Sequence, residues 1–191
     1  IRRKKLEKEN IEVFADVIEV EEKITSNFDA IIIAVKPKDV EVVVNEIVEM
    51  YNPTLIISIA AGVKIKSIEK IAADFPVVRA MPNLAAHVSE SATAISFGKK
   101  IDEKNIEMTM RILSSIGTVE TVNEKQMNLV TALSGSGPAY FYLLSEYLAK
   151  AAVELGLDEK TSKLLSEQTF IGAAKTLEEQ KVNAEELRAS V

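Results

Sequence analysis

Three short stretches of this 191-residue chain place small residues where a ligand would have to approach backbone: AVKP at 34–37, IAAG at 59–62 and AMPN at 80–83. Alanine and glycine there leave amide groups and space for a flat or phosphorylated ligand, and Lys36 brings a cation to the rim. A fourth stretch, ALSGSGPAYFY at 132–142, uses two of the chain's seven glycines, with two serines and a proline, against an aromatic helix start. Amides at a helix start, with the hydroxyls of Ser134 and Ser136, suit an anion such as a carboxylate. Each stretch also has a plain structural reading. Ala-Gly and Pro-Asn are ordinary turn punctuation, a lysine after a strand is usually solvated, and the glycine-serine run would serve equally as a tight turn or hinge. What favours chemistry is that three of the four follow strands in the same way.

Those strands are legible. DAIIIAV at 29–35 is a nearly unbroken β-branched run, the pattern of a parallel strand covered on both faces, and TLIISIA at 54–60 repeats it. PVVRA at 76–80, ATAISF at 92–97 and TVETV at 118–122 read as three more. Between the first two, Val40, Val43, Val44, Ile47 and Val48 recur at helical spacing behind Asp39 as cap. Ile65, Ile68 and Ile71 mark a short helix after the second strand. Asp102 caps a helix with Ile106, Met110 and Leu113 on one face, which Gly117 stops. Strands alternating with helices through short loops predict an α/β fold, a doubly wound (Rossmann-like) parallel sheet with right-handed crossovers, whose ligands lie beyond the carboxyl ends of the strands.

At Asn123 the pattern changes, so the expected domains are 1–122, a dinucleotide-binding sheet domain, and 123–191, an all-α domain. The latter holds a short helix near Met127 to Val130, the glycine-serine break, a helix from Pro138 closed by Gly156, and a long one capped by Asp158. A further start is marked by Asn183 with Glu186 three residues on. Apolar faces built from Phe141, Leu144, Leu148 and Leu155, and from Leu164, Phe170 and Leu177, exceed what one thin layer can cover, so a partner chain is expected there.

Composition narrows the chemistry. Zero cysteines exclude disulfides, thiolate catalysis and cysteine-held metals, and a single histidine leaves no pair for a metal or a relay, so no metal site is expected. His87, alone among apolar neighbours, reads as a packed or surface residue rather than a catalytic one. A net charge of −6 argues against general nucleic-acid affinity. No apolar run reaches membrane-spanning length and no signal segment opens the chain, so the expected partner is a small molecule, not a membrane, and the expected location cytoplasmic. Arg2 and Arg3 follow a residue that could end an earlier strand. They are placed either to meet the extra ribose phosphate of NADP or simply to begin a basic helix.

The order DAIIIAVKP, LIISIAAG, VVRAMPN and TALSGSGPAYFY resembles the pyrroline-5-carboxylate reductase family from end to end. The resemblance implies an NAD(P)H-dependent last step of proline biosynthesis, with NADPH as cofactor or NADH in its place, and an all-α dimerisation domain interlocking with a second subunit. A homodimer or higher homo-oligomer through the C-terminal helices is therefore implied. It places Ala34, Val35, Lys36, Pro37, Ala60, Ala61 and Gly62 along the cofactor and Met81, Pro82 and Asn83 at its nicotinamide end. Thr131, Ser134 and Ser136 become the candidate catalytic residues, with Gly135 and Gly137 binding substrate.

The departures are specific. No GxGxxG loop occurs in the 191 residues, and by this likeness the chain looks truncated at both ends, the sheet incomplete at its N-terminus and the helical domain lacking its C-terminal part. MPNLAAHVSES differs from the usual MPNTPALVGEG at Leu84, Ala85, His87 and Ser91. Competing readings are a non-catalytic assembly module and a related hydroxy-acid dehydrogenase using Lys150 as acid. If Lys36 holds a phosphate, Lys36→Ala in the intact protein raises the cofactor's KM with little change in kcat. Steady-state kinetics at varied dinucleotide check this, and an unchanged KM makes Lys36 a solvated strand-end lysine.

Overall fold

The computed structural model describes residues 11–14, 20, 28–180 and 182–191; Arg2 and Arg3 lie outside them. The chain divides into two compact units, Ile1–Gly135 and Ser136–Val191.

The first unit is a five-stranded sheet in the order β1 (Ile31–Ile33), β2 (Ile56–Ser58), β3 (Val77–Met81), β4 (Ser91–Phe97), β5 (Gly117–Thr121). All five expected strands are present, the first two trimmed to their fully extended centres. β1, β2 and β3 pair parallel because the chain returns between them through helices α1 (Val40–Met50) and α2 (Ile65–Glu69). The fully parallel sheet is not observed: β3 and β4 run antiparallel. Only residues 82–90 join them, containing the 3-10 turn Leu84–Val88, which is less than the roughly dozen residues a parallel crossover needs. Ser89, with φ 59°, closes that turn. β5 again runs parallel to β4, through α3 (Glu103–Ser114).

Alternation along the strands sends side chains to opposite faces. Ile33, Ile56 and Val77 pack with Val40, Val44 and Ile47 of α1 and Ile65 and Ile68 of α2. Leu55, Ile57, Val78, Ala80 and Ile95 pack on the other face with Leu113 of α3. Each such fully buried aliphatic side chain contributes about 1.5–3 kcal/mol relative to exposure, so the covered sheet is the main source of this unit's stability.

The caps fall partly as the residue types require. Asp102 and Asn105 form a reciprocal box, Asn105 N–H to Asp102 Oδ1 at 2.8 Å and Asp102 N–H to Asn105 Oδ1 at 3.3 Å. Asn105 also donates from Nδ2 to Thr54 O at 3.2 Å, and Thr109 Oγ1 donates to Asn105 O at 2.7 Å. These bonds turn Asn105, Thr109 and Leu113 inward; of the expected apolar face, Leu113 and Met110 pack on the sheet and only Ile106 is left exposed. Asp39 makes no side-chain cap bond. Instead Pro37 starts a 3-10 turn, Pro37–Asp39, whose Asp39 N–H donates to Lys36 O at 2.9 Å, and this turn runs straight into α1.

After β5, the turn Glu124–Gln126 and α4 (Met127–Val130) pack with the sheet unit, and Met127 is fully buried. The first compact unit therefore extends as far as Gly135. The expected glycine-serine break narrows to Ser136: Thr131–Gly135 is a π-helical turn, wider than an α-turn, and Ser136 is the bend that caps the next helix, which begins at Gly137. Thr131 Oγ1 donates to Met127 O at 2.8 Å and Ser134 Oγ to Val130 O at 3.2 Å, each reaching back one turn to a main-chain carbonyl.

The second unit contains α5 (Gly137–Glu154), α6 (Glu159–Gln180) and α7 (Ala184–Ser190). Gly156, with φ 104°, ends α5, Asp158 Oδ1 accepts Thr161 N–H at 3.0 Å, and Asn183 Oδ1 accepts Glu186 N–H at 2.9 Å, all at the expected positions. α5 and α6 lie antiparallel, with the Phe141 and Phe170 rings edge-to-face at 6.5 Å and the Ser145 and Ser166 hydroxyls 3.0 Å apart. Their seam is built from small residues, Ser162 and Ser166 being buried. The large ones face away: within the chain Phe141 is 62% exposed and Leu164 63%.

One glycine of the sheet is demanded by geometry. Gly117 has φ 139°, and a Cβ there would lie 2.2 Å from Ser91 O and 2.3 Å from Ser91 N. Gly117→Ala is expected to cost roughly 3 kcal/mol, read as a lower urea midpoint, whereas Gly62→Ala, with nothing within 4 Å of the added carbon, costs less.

Candidate functional site

Register sets the site's frame. Ile33 pairs with Ser58, and Ser58 with Arg79, so the carboxyl ends of β1, β2 and β3 emerge side by side. From them leave the three stretches singled out in the sequence. Ala34, Val35, Lys36 and Pro37 are exposed; Ala60 is buried, and Ala61 and Gly62 are exposed. Gly62 has φ 79°, and the space beside its Cα is empty to 4 Å. The glycine therefore serves the left-handed backbone, and the open ground above it admits a ligand.

Met81, Pro82 and Asn83 are half-buried at the end of β3. Asn83 commits all its polar side-chain atoms, and its amide, to protein. Its N–H donates to Ser91 Oγ at 3.0 Å, its Oδ1 accepts Ala85 N–H at 3.0 Å, and its Nδ2 donates to Ser134 O at 3.1 Å. Ser91 is buried and its hydroxyl shares a 3.0 Å hydrogen bond with Thr93 Oγ1. Met81 lies over Gly135, its Cε 2.8 Å from where a Cβ would stand. The AMPN stretch and the Thr131–Gly135 turn, some fifty residues apart in sequence, are thereby joined through Asn83–Ser134 and Met81–Gly135.

Two participants escaped the sequence reading. Arg79 on β3 is only 4% exposed, and Glu124 Oε1 lies 3.4 Å from its Nη1. The same oxygen accepts Ile65 N–H at 2.7 Å, at the start of α2. The available signal was an arginine inside the otherwise apolar run VVRAM, because a charge on a covered strand needs a counter-charge from elsewhere.

With this geometry in hand, likeness to known proteins decides the ancestry. Residues 124–191 match the family model described as pyrroline-5-carboxylate reductase dimerisation. Pyrroline-5-carboxylate reductase 1 of Bacillus subtilis is 40% identical over 167 residues, covering 86% of this chain and 56% of the relative. The Mycobacterium leprae enzyme is 42% identical over 154 residues, covering 77% of this chain and 52% of the relative. The chain thus spans about half the length of these curated relatives. The solved pyrroline-5-carboxylate reductase of Coxiella burnetii superposes with TM-score 0.86 at 34% identity, over 99% of this chain and 71% of that one. The chain belongs to the pyrroline-5-carboxylate reductase family. A Plasmodium falciparum pyrroline carboxylate reductase solved with NADP bound follows at TM-score 0.83 and 29% identity, over 95% of this chain and 68% of that one.

Within this reductase-family chain the remaining candidates separate. Thr131 and Ser134 send their hydroxyl protons to Met127 and Val130 carbonyls, so what they offer a ligand is oxygen lone pairs. Gly135 closes the first unit, while Ser136 and Gly137 open the second. His87 is exposed on the Leu84–Val88 turn. Lys150 is bound to Glu146, whose carboxylate raises the ammonium above its ordinary pKa, and sits 5.4 Å above the Tyr147 ring. Lys150 is thus a solvated helix-face lysine, 61% exposed, which removes support from the hydroxy-acid dehydrogenase reading. Among the described residues no group of three or more histidine, cysteine or acidic side chains could hold a metal ion, and no helix is long and apolar enough to cross a membrane.

Asn83→Ala leaves Ser134 O and Ala85 N–H without their partner and is expected to cost about 1–2 kcal/mol, measured by urea denaturation. Asn83→Asp keeps the acceptor for Ala85 N–H but sets a carboxylate oxygen against Ser134 O where Nδ2 donated, so at neutral pH it is expected to cost at least as much as Asn83→Ala.

Proposed function

We propose that the intact protein reduces pyrroline-5-carboxylate to proline with NADPH, NADH being the alternative donor. The observation that carries this reading is the Asn83–Ser134 bond, which holds the strand-end loop assigned to the nicotinamide against the turn assigned to the substrate. Open, small residues at 34–37 and 60–62 suit a dinucleotide that must lie close to backbone, and exposed Lys36 supplies a cation for its phosphates. When bound, the reduced nicotinamide supplies the hydride that reaches the C=N carbon of the substrate.

The chain's own work in this proposal is orientation and shielding. Met81 and Pro82 border the nicotinamide end. The lone pairs of Thr131 Oγ1 and Ser134 Oγ accept the N–H of a cyclic imine that enters already protonated, so no strong protein acid is required. Ser136, Gly135 and Gly137 contribute to substrate binding by family likeness, and Arg2 and Arg3 are assigned to the cofactor's ribose phosphate because they follow a residue that could end a strand. We further propose a homodimer, or a higher homo-oligomer, through the exposed apolar faces of α5 and α6, an assignment supported by the dimerisation-model match.

Two measurements test this. The intact protein should oxidise NADPH only when pyrroline-5-carboxylate is present, followed by loss of the reduced nicotinamide's absorbance, while residues 1–191 alone turn over slowly or not at all. No substrate-dependent oxidation by the intact protein overturns the reading. Size-exclusion chromatography with light scattering should give at least twice the chain mass, and a monomer overturns the assignment of the helical faces.

A further inference from the structure

Glu124 stands at the start of the turn following β5, and one carboxylate oxygen serves two distant elements, Ile65 N–H at 2.7 Å and Arg79 Nη1 at 3.4 Å. Ile65 opens α2 directly after the 60–64 loop. Arg79 lies two positions before Met81 on β3. Glu124 itself leads through α4 to the Thr131–Gly135 turn. The 60–62, 81–83 and 131–135 stretches are thus each a few residues along the chain from a group this carboxylate holds or from Glu124 itself.

The two contacts differ in kind. The bond to Ile65 N–H is short and charge-assisted, and it is the tie that holds the loop. The guanidinium is 4% exposed and the Glu124 side chain 30%, so the pair is screened less than a surface pair, and the longer Arg79 contact keeps the carboxylate aimed at α2. We infer that Glu124 is a positioning residue for the dinucleotide: through Ile65 it holds the 60–64 loop in the conformation that admits the cofactor, without touching cofactor or substrate itself. The inference rests on the reductase reading of that loop.

The test compares Glu124→Ala, Glu124→Gln and Glu124→Asp in the intact protein by dinucleotide titration and steady-state kinetics. Glu124→Ala removes the acceptor for Ile65 N–H, and the dinucleotide Kd is expected to rise about tenfold, the effect of one lost buried bond. The kcat at saturating dinucleotide and the KM for pyrroline-5-carboxylate stay unchanged. Glu124→Gln keeps an oxygen for Ile65 N–H and recovers most of the affinity. Glu124→Asp keeps the charge but is one methylene short of the amide, so it weakens dinucleotide binding to the same order as alanine, and it is the deciding variant if Glu124→Ala does not fold. A lowered melting temperature with unchanged Kd in the alanine or aspartate variant makes Glu124 a brace for stability only and overturns the inference. So does glutamine binding as poorly as alanine. An unaltered protein that binds no dinucleotide defeats the reductase reading instead, a result distinct from a neutral Glu124 variant in a protein that binds.

Discussion

A guanidinium placed on the covered face of a sheet is costly unless a carboxylate meets it, and much of the first unit is arranged around that requirement. Arg79 shares its face of β3 with Val77, inside the cluster formed with α1 and α2. Its partner Glu124 arrives from beyond β5, on the far side of the sheet order, and in arriving it also satisfies the first amide of α2. The path from β5 to the Thr131–Gly135 turn is thereby fixed at its origin. Met127, fully buried three residues later, fixes it again by burial.

The other end of that path is held by hydrogen bonds of a different character. Gly117 allows β5 to run close against Ser91, Ser91 holds Asn83 by its N–H, and Asn83 holds the Ser134 carbonyl. None of these contacts carries a net charge, and each involves a short side chain with few rotamers to lose. The Thr131–Gly135 turn lies along the chain between the ion pair of Glu124 and the neutral bond from Asn83.

The second unit follows another logic. Its two long helices close on serine and alanine-sized residues, and they turn phenylalanine, tyrosine and leucine outward. Such an arrangement buries little apolar surface within one chain, and it is the arrangement expected where burial is completed by association.

Much of this was legible in the residues. The β-branched runs of 29–35 and 54–60, the alternation with helices, the Asp102 and Asp158 caps and the Gly156 stop all rest on local chemistry, which is why they are found where the sequence places them. Small residues after three strands share one edge of the sheet, the edge proposed for the ligand, because strand ends in a parallel sheet share one side. What local chemistry could not supply was pairing at a distance. The antiparallel turn to β4 depended on the length of a connection rather than on any residue in it. The π-helical turn at 131–135 lies against Asn83 and Met81, a pairing that its glycine and serines by themselves did not announce. The inward face of α3 went to Asn105 and Thr109 because Thr54 offered a carbonyl to Asn105 there, outbidding the greater hydrophobicity of Ile106. The sequence by itself therefore determined the elements, their order, the family likeness and the edge at which a ligand would lie. Only the tertiary structure decided which polar groups hold that edge in place, since Arg79, Glu124 and Ile65 acquire their relation only when strands far apart in the chain come into register.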